Sequence, residues 1–129
     1  CVSLHADPER FYPFFWGHPQ ERGTGRGLGY NLNFPLARGT DDAAYLEALQ
    51  TALGQIENFG PDVIVVALGL DAYVDDPLKG LAITTDGFAR IGAAIATLNR
   101  PTLFVQEGGY LADALGHNLT SFLNGFGRI

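Results

Sequence analysis

The stretch that decides the fold is residues 63–71, which read Val-Ile-Val-Val-Ala-Leu-Gly-Leu-Asp. Residues 63–68 form a continuous apolar run without polar alternation, which predicts a strand covered on both faces, as in parallel sheets. A glycine ends the run, and Asp71 follows almost at once. Because α/β proteins gather functional groups at the carboxyl ends of parallel strands, Asp71 is a candidate site residue.

A second apolar strand, at residues 102–105, ends in a similar way and runs into Gln-Glu-Gly-Gly-Tyr at residues 106–110. Right-handed crossovers place the ends of such strands on one edge of a sheet, so we expect Asp71 and Tyr110 to face one crevice. A neutral tyrosine hydroxyl can donate a hydrogen bond to a developing oxyanion. The structural alternative is a tyrosine that only packs at the start of a helix.

Three helices are predicted from apolar residues at helical spacing. The first spans residues 41–58 with Thr40 as its N-cap, the second begins after Thr84 or Thr85, and the third spans residues 111–125. Their alternation with strands predicts an α/β domain, a parallel sheet with flanking helices.

The N-terminal part carries two further predicted strands, at residues 2–4 and at residues 30–35, the second closed by its proline. Between them lies a long irregular stretch whose aromatic residues predict an ordered, buried wall. Its glycines at residues 23–29 do not match the dinucleotide fingerprint, and no helix follows them. Tight turns at positive φ are the favoured interpretation.

Composition excludes several function classes. The chain has 129 residues, a net charge of -6 and no run of Lys or Arg, which argues against a direct nucleic-acid partner. The single Cys1 excludes an internal disulfide framework and favours a cytoplasmic location. No apolar stretch approaches the roughly 18 residues of a membrane-spanning helix.

Metal-ligating residues are sparse. Asp71 can ligate zinc, but a catalytic zinc needs about three protein ligands. His5, His18 and His117 form no paired motif. His117 is interpreted as an ordinary helix residue, and His5 stays open at this point.

Several motifs carry a family resemblance. They are Val2-Ser3-Leu4-His5, Tyr12-Pro13-Phe14, residues 23–35, Gly69-Leu70-Asp71 with Asp76-Pro77, and Glu107-Gly108-Gly109-Tyr110. In order and spacing they resemble the zinc-dependent histone deacetylase superfamily along almost the whole chain. The Glu-Gly-Gly-Tyr motif is more similar to the acetylpolyamine amidohydrolases and class II-like deacetylases than to the all-glycine version of class I. The resemblance implies an arginase/deacetylase-type fold, of which residues 1–129 would be the C-terminal portion.

The resemblance also implies roles for single residues. Asp71 would be the second aspartate ligand of a catalytic zinc, and Tyr110 would polarise the amide carbonyl and stabilise the oxyanion. Tyr12 would flank a narrow substrate tunnel, with Gly108 and Gly109 in its wall.

A structural monovalent cation, potassium or sodium, would be held near the zinc by Ser3 and the Leu4 carbonyl, and a second by Tyr30. His5 would then be an ordinary family residue.

The implied reaction is hydrolysis of the acetyl amide of acetyl-lysine, acetylpolyamine or a related acetylated amine. The family's Asp-x-His ligands and tandem histidines are absent from this sequence, so the chain alone is predicted to be inactive. We expect self-association or pairing with an N-terminal portion of the domain. The alternative is a non-catalytic, truncated module that acts through oligomerisation or partner binding.

Overall fold

A computed structural model describes residues 1–127 of the chain. Strands and helices alternate after an N-terminal pair of strands. In chain order the elements are β1 (Val2–Ala6), β2 (Leu32–Leu36), α1 (Asp42–Phe59), β3 (Ile64–Leu68), α2 (Thr85–Ala96), β4 (Thr102–Gln106) and α3 (Leu115–Phe126). The described strands pair in parallel, which confirms the predicted α/β class.

The described strands form two separate parallel pairs. In the first pair, β1 lies beside β2 with Val2 opposite Leu32. In the second pair, β3 lies beside β4, and Leu68 at the end of β3 faces Gln106 at the end of β4. The two strand ends that precede Asp71 and Tyr110 are therefore neighbours, as the sequence predicted.

The core lies between the inner face of the β3–β4 pair and helices α1, α2 and α3. The Phe104 ring on β4 contacts the rings of Phe122 and Phe126 edge-on, with centroids 5.1 and 4.8 Å away. Helices α2 and α3 approach closely because Gly125 faces the backbone of Ala89, where an added Cβ would lie 2.7 Å from the carbonyl carbon. This packing fixes the sheet edge that carries the candidate site.

The outer face of the β3–β4 pair is exposed, so the prediction of a strand covered on both faces is wrong. Val65 is 65% exposed and Leu103 57% exposed, with Val63 and Val105 also open to solvent. The inner-facing Ile64 and Leu68 are buried. The physical reason is that no described element packs on the outer side.

Strand β2 also differs from its prediction, because it contains Pro35 and does not end at it. The amide of Leu32 donates to Cys1, and the carbonyl of Leu36 accepts from Asp7. In a parallel strand, every second residue directs its N–H toward the same neighbouring strand. The N–H of Leu32 is directed toward β1, and position 35, three residues later, is directed away from it. Its missing N–H therefore costs no bond to β1.

Helix termini correct two further predictions. Helix α1 is capped by Asp41, whose carboxylate accepts from the Ala44 amide at 3.0 Å, because the Thr40 hydroxyl donates to the Ala37 carbonyl. Thr84 caps α2 through the Gly87 amide, as predicted.

Helix α3 begins at Leu115 and not near residue 111, because the chain first passes through a bend at Leu111 and a turn at residues 113–114. Within residues 1–127, no helix is long and apolar enough to cross a lipid bilayer.

Candidate functional site

The site begins where the β3–β4 pairing continues beyond the strands. The Glu107 amide donates to the Leu68 carbonyl at 3.0 Å, and the Leu70 amide donates to the Gly108 carbonyl at 3.3 Å. These two bonds hold the loop after β3 against the loop after β4. Asp71 lies in a short 3-10 turn, Leu70–Ala72, directly above this junction.

Asp71 and Tyr110 line one cleft of about 280 Å³, which confirms the predicted shared crevice. Leu4 from β1 also lines it, as does Tyr12 from the aromatic loop, the irregular stretch at residues 7–29. Its floor is apolar and comes from the helices and from β3. The floor residues are Leu49, Val66, Leu68, Phe88, Ile91 and Ile95. A polar rim over an apolar floor is the usual form of a small-molecule site.

The Asp71 carboxylate lies against two glycines. A Cβ added to Gly69 or Gly108 would stand 2.6 or 2.8 Å from the Asp71 Oδ1 atom. Gly108 has φ of 98°, which L side chains rarely adopt. Both positions therefore require glycine if the carboxylate is to keep its place.

Burial raises the pKa of Asp71 above its ordinary value. A hydrogen bond from its own backbone amide opposes the shift, and the negative charge of Asp76 adds to it. A carboxylate with a raised pKa is short of stabilising partners, and a bound cation would supply one. The electrostatics of the site therefore favour a cation at Asp71.

Tyr110 is half-exposed at the rim of the cleft. The two glycines before it, Gly108 and Gly109, have φ of 98° and 108° and turn the chain away from β4. The Tyr110 amide donates to the Asp76 carboxylate at 3.2 Å. Asp76 thus holds its own turn through the Leu78 amide and also reaches the loop after β4.

Sequence reasoning missed Tyr45, a second phenol in the cleft. It lies on α1, and burial together with the charge of Asp71 raises its pKa to about 12. The hydroxyl is therefore neutral at physiological pH and able to donate a hydrogen bond. The available signal was helical spacing, since Tyr45 precedes Leu49 and Leu53 on one face of α1.

The aromatic loop is mostly exposed, which contradicts the prediction of a buried wall. Phe11 packs inward, and a Cβ added to Gly80 would lie 3.0 Å from its ring. Tyr12 is 76% exposed although it lines the cleft, and Phe15 and Trp16 are also open to solvent. None of the described elements covers these rings.

The residues assigned to the two monovalent cations lie in two different places. The Ser3 hydroxyl lies 2.8 Å from Nδ1 of His5, and Leu4 borders the cleft. Tyr30 lies in a different cavity, where its ring meets Phe59 edge-on. The structure thus keeps Ser3 and Leu4 together on β1 and Tyr30 apart from them.

The histidines have structural or surface positions. His5 is fixed by Ser3 and by the Gly17 carbonyl, 2.9 Å from Nε2, while His117 is exposed on α3. Among residues 1–127, no three side chains of His, Cys, Asp or Glu are grouped closely enough to hold a metal ion. Asp71 fits one position of a zinc site, and the described residues do not complete that site.

A family model described as the histone deacetylase domain matches residues 1–126. The chain is 48% identical to an acetylpolyamine amidohydrolase of Burkholderia pseudomallei over 128 residues, which is 99% of this chain and 38% of that protein. It is 36% identical to histone deacetylase 8 of Arabidopsis thaliana, covering 99% of this chain and 36% of the relative.

Solved structures give the same result. The crystal structure of acetylpolyamine aminohydrolase from Burkholderia pseudomallei superimposes with a TM-score of 0.95 at 49% identity, covering 98% of this chain and 37% of that one. The chain therefore spans less than two-fifths of the length of these relatives. The match supports the predicted arginase/deacetylase-type fold.

Proposed function

The chain belongs to the histone deacetylase domain family, and from that membership we propose that it is the C-terminal part of a zinc-dependent deacetylase. The reaction would be hydrolysis of the acetyl amide of an acetylated amine. The observation that carries this proposal is the cleft shared by the Asp71 carboxylate and the Tyr110 phenol at the ends of two adjacent parallel strands.

Each rim residue has a distinct role in this proposal. Asp71 would contribute one of the metal ligands, and Gly69 and Gly108 leave the space that its carboxylate occupies. The Tyr110 hydroxyl would donate a hydrogen bond to the carbonyl oxygen of the substrate and hold the negative charge that develops there. Zinc, when bound, supplies Lewis-acid polarisation of the carbonyl and a more acidic water.

The substrate would be an acetylated amine on a flexible aliphatic stem. Tyr12, which lines the cleft, would flank that stem. The Gly108-Gly109 backbone is proposed to flank it as well, because these residues directly precede Tyr110. Support for an acetylpolyamine comes from the names of the relatives in Burkholderia and Pseudomonas, and support for acetyl-lysine comes from the plant histone deacetylase. A cationic substrate suits a chain with a net charge of -6.

The missing ligands and the base would come from a preceding portion of the same domain. The exposed apolar face around Val65 and Leu103 is suited to packing against that portion or, without it, against a second copy. Structural potassium or sodium at Ser3, Leu4 and Tyr30 stays a prediction. A cytoplasmic location, inferred from the lone Cys1, also stays a prediction.

The test compares the chain alone with a fusion protein. The fusion carries the part of the Burkholderia pseudomallei relative that precedes the matched region, followed by this chain. We expect no measurable hydrolysis of acetyl-lysine peptide or acetylputrescine and weak zinc binding by the chain alone. The fusion should bind zinc, hydrolyse at least one substrate and lose most of its kcat on Tyr110→Phe, which removes one oxyanion donor and costs on the order of a hundredfold.

Robust, Tyr110-dependent turnover by the chain alone would contradict the view that it is one part of a site. A fusion that binds zinc with full activity after Tyr110→Phe would refute the role of the phenol. The Asp71→Asn fusion is the companion variant, and we expect it to lose zinc as well as activity.

A further inference from the structure

Asp76 is a buried carboxylate, 1% exposed, on the loop that follows β3. Among residues 1–127, Asp76 forms no ion pair, although its neighbour Asp75 pairs with Lys79 at the surface. A buried carboxylate without a cation must be stabilised by hydrogen-bond donors. In this chain the donors are backbone amides.

The two oxygens of Asp76 bind amides from different loops. Oδ1 accepts from the Leu78 amide at 2.8 Å, which closes a local turn two residues away. Oδ2 accepts from the Tyr110 amide at 3.2 Å, 34 residues further along the chain. The local turn alone needs one oxygen, so the second contact ties the loop after β3 to the residue that bears the phenol.

The segment around Tyr110 has few other anchors. Gly108 and Gly109 carry no side chains, and the Gly108 carbonyl is held by the Leu70 amide. Leu111, directly after Tyr110, is 95% exposed. Between these points, Gly109 packs against Leu70 and Leu115, and the bond to Asp76 is the hydrogen bond that fixes the Tyr110 amide.

We infer that Asp76 is a positioning residue, which fixes the backbone of Tyr110 and thereby the height of its hydroxyl over the cleft. This inference rests on the proposed function, because it concerns the same phenol. Asp76 touches neither the substrate nor a metal in this scheme. The positioning effect passes through Tyr110, and the negative charge of Asp76 acts separately on the pKa of Asp71.

The first arm of the test uses the chain as it exists and follows amide hydrogen exchange by NMR. Asp76→Asn keeps the volume of the side chain and replaces one acceptor oxygen by an NH2 group, which cannot accept from an amide. We expect exchange at the Tyr110 amide to accelerate by about tenfold or more, since a bond to a charged acceptor is lost. The Leu70 amide, bound to Gly108, should keep its rate. Asp75→Asn is the matched control, because Asp75 is exposed, and it should leave both rates unchanged.

The second arm measures steady-state kinetics of the fusion protein. We expect Asp76→Asn to lower kcat by on the order of ten- to a hundredfold, as misplacement by about 1 Å does, with little change in KM. In a Tyr110→Phe background the same substitution should have almost no further effect, because the hydroxyl that it positions is gone. Asp75→Asn should be neutral in both backgrounds.

Two results would overturn the inference. One is a Tyr110 exchange rate that is unchanged both in Asp76→Asn and in Asp76→Leu, which leaves no acceptor oxygen. The other is an equal fractional loss of kcat with and without the Tyr110 hydroxyl, as a general folding defect would give. If Tyr110→Phe leaves the fusion fully active, the proposed function fails, and the exchange arm still decides whether Asp76 anchors the Tyr110 backbone.

Discussion

Replacing Gly108 by alanine has two effects that can be measured separately, backbone strain at residue 108 and displacement of the Asp71 carboxylate. At φ of 98° the alanine would be strained whatever its surroundings, at a cost of about 1–2 kcal/mol. Its Cβ would stand 2.8 Å from Oδ1 of Asp71, where ordinary contact begins at 3.4 Å. The carboxylate is the movable partner, so we expect Asp71 to be displaced while the fold survives.

Gly39→Ala is the matched control. Gly39 has φ of 77°, and nothing lies within 4 Å of the Cβ that alanine would add. Both variants should therefore lose about 1–2 kcal/mol of unfolding free energy and roughly 3–10 °C in melting temperature. Urea denaturation and thermal unfolding of the chain alone measure these losses.

Activity of the fusion protein then distinguishes the two glycines. We expect Gly108→Ala to lose about tenfold or more in kcat/KM beyond Gly39→Ala, with weaker zinc binding, because only the first substitution moves Asp71. Equal activities of the two variants would refute the reasoning. So would a Gly108→Ala chain in which the pKa of Asp71, followed by carbon NMR, is the same as in the wild type.

Three further predictions concern stability and association. Gly125→Ala should destabilise the chain by about 1–3 kcal/mol, because its Cβ would overlap the Ala89 backbone. Gly116→Ala on the same helix, with nothing within 4 Å of its Cβ, should stabilise the chain by about 0.5–1 kcal/mol. Urea denaturation of the two variants measures the difference, and similar denaturation midpoints would contradict the prediction. Asp71→Asn should stabilise the metal-free chain increasingly as the pH rises from about 4 through the raised pKa of Asp71, because burial destabilises the wild-type carboxyl only when it is ionised. In thermal melts from pH 4 to 8, the difference in melting temperature between variant and wild type should widen. A difference that stays constant with pH would contradict a raised pKa. Val65→Lys on the outer face should shift the chain toward monomer in sedimentation velocity without lowering its melting temperature appreciably, and an unchanged association state would place the contact elsewhere.

The sequence predicted the part of the site that depends on local pattern. The apolar run before Asp71 and the matching run before Tyr110 were sufficient to place both residues at one edge, since parallel pairing has few topological solutions. The contact of Asp76 with the Tyr110 amide was not predictable, because that amide lies 34 residues away and no sequence pattern records the contact.

Other features depended on what surrounds a residue. The run at residues 63–68 is uniformly apolar, and periodicity cannot tell which of its faces lacks a covering element. Thr40 and Asp41 are both good helix caps, and the Thr40 bond to Ala37 decides between them. Tyr45 was missed because a tyrosine on the apolar face of a helix is usually a packing residue.

The hydrogen bonds that extend the β3–β4 ladder past Leu68 and Gln106 connect the strand pairing to the geometry of the cleft. Asp71 follows one strand and Tyr110 follows the other, so the register of the pair sets the distance between the Asp71 carboxylate and the Tyr110 hydroxyl. A slip of one residue would move Tyr110 by about 3.3 Å along the sheet. It would also turn Phe104 away from the helices and toward solvent. The aromatic contacts of Phe104 with α3 thus fix the strand register on which the distance between Asp71 and Tyr110 depends.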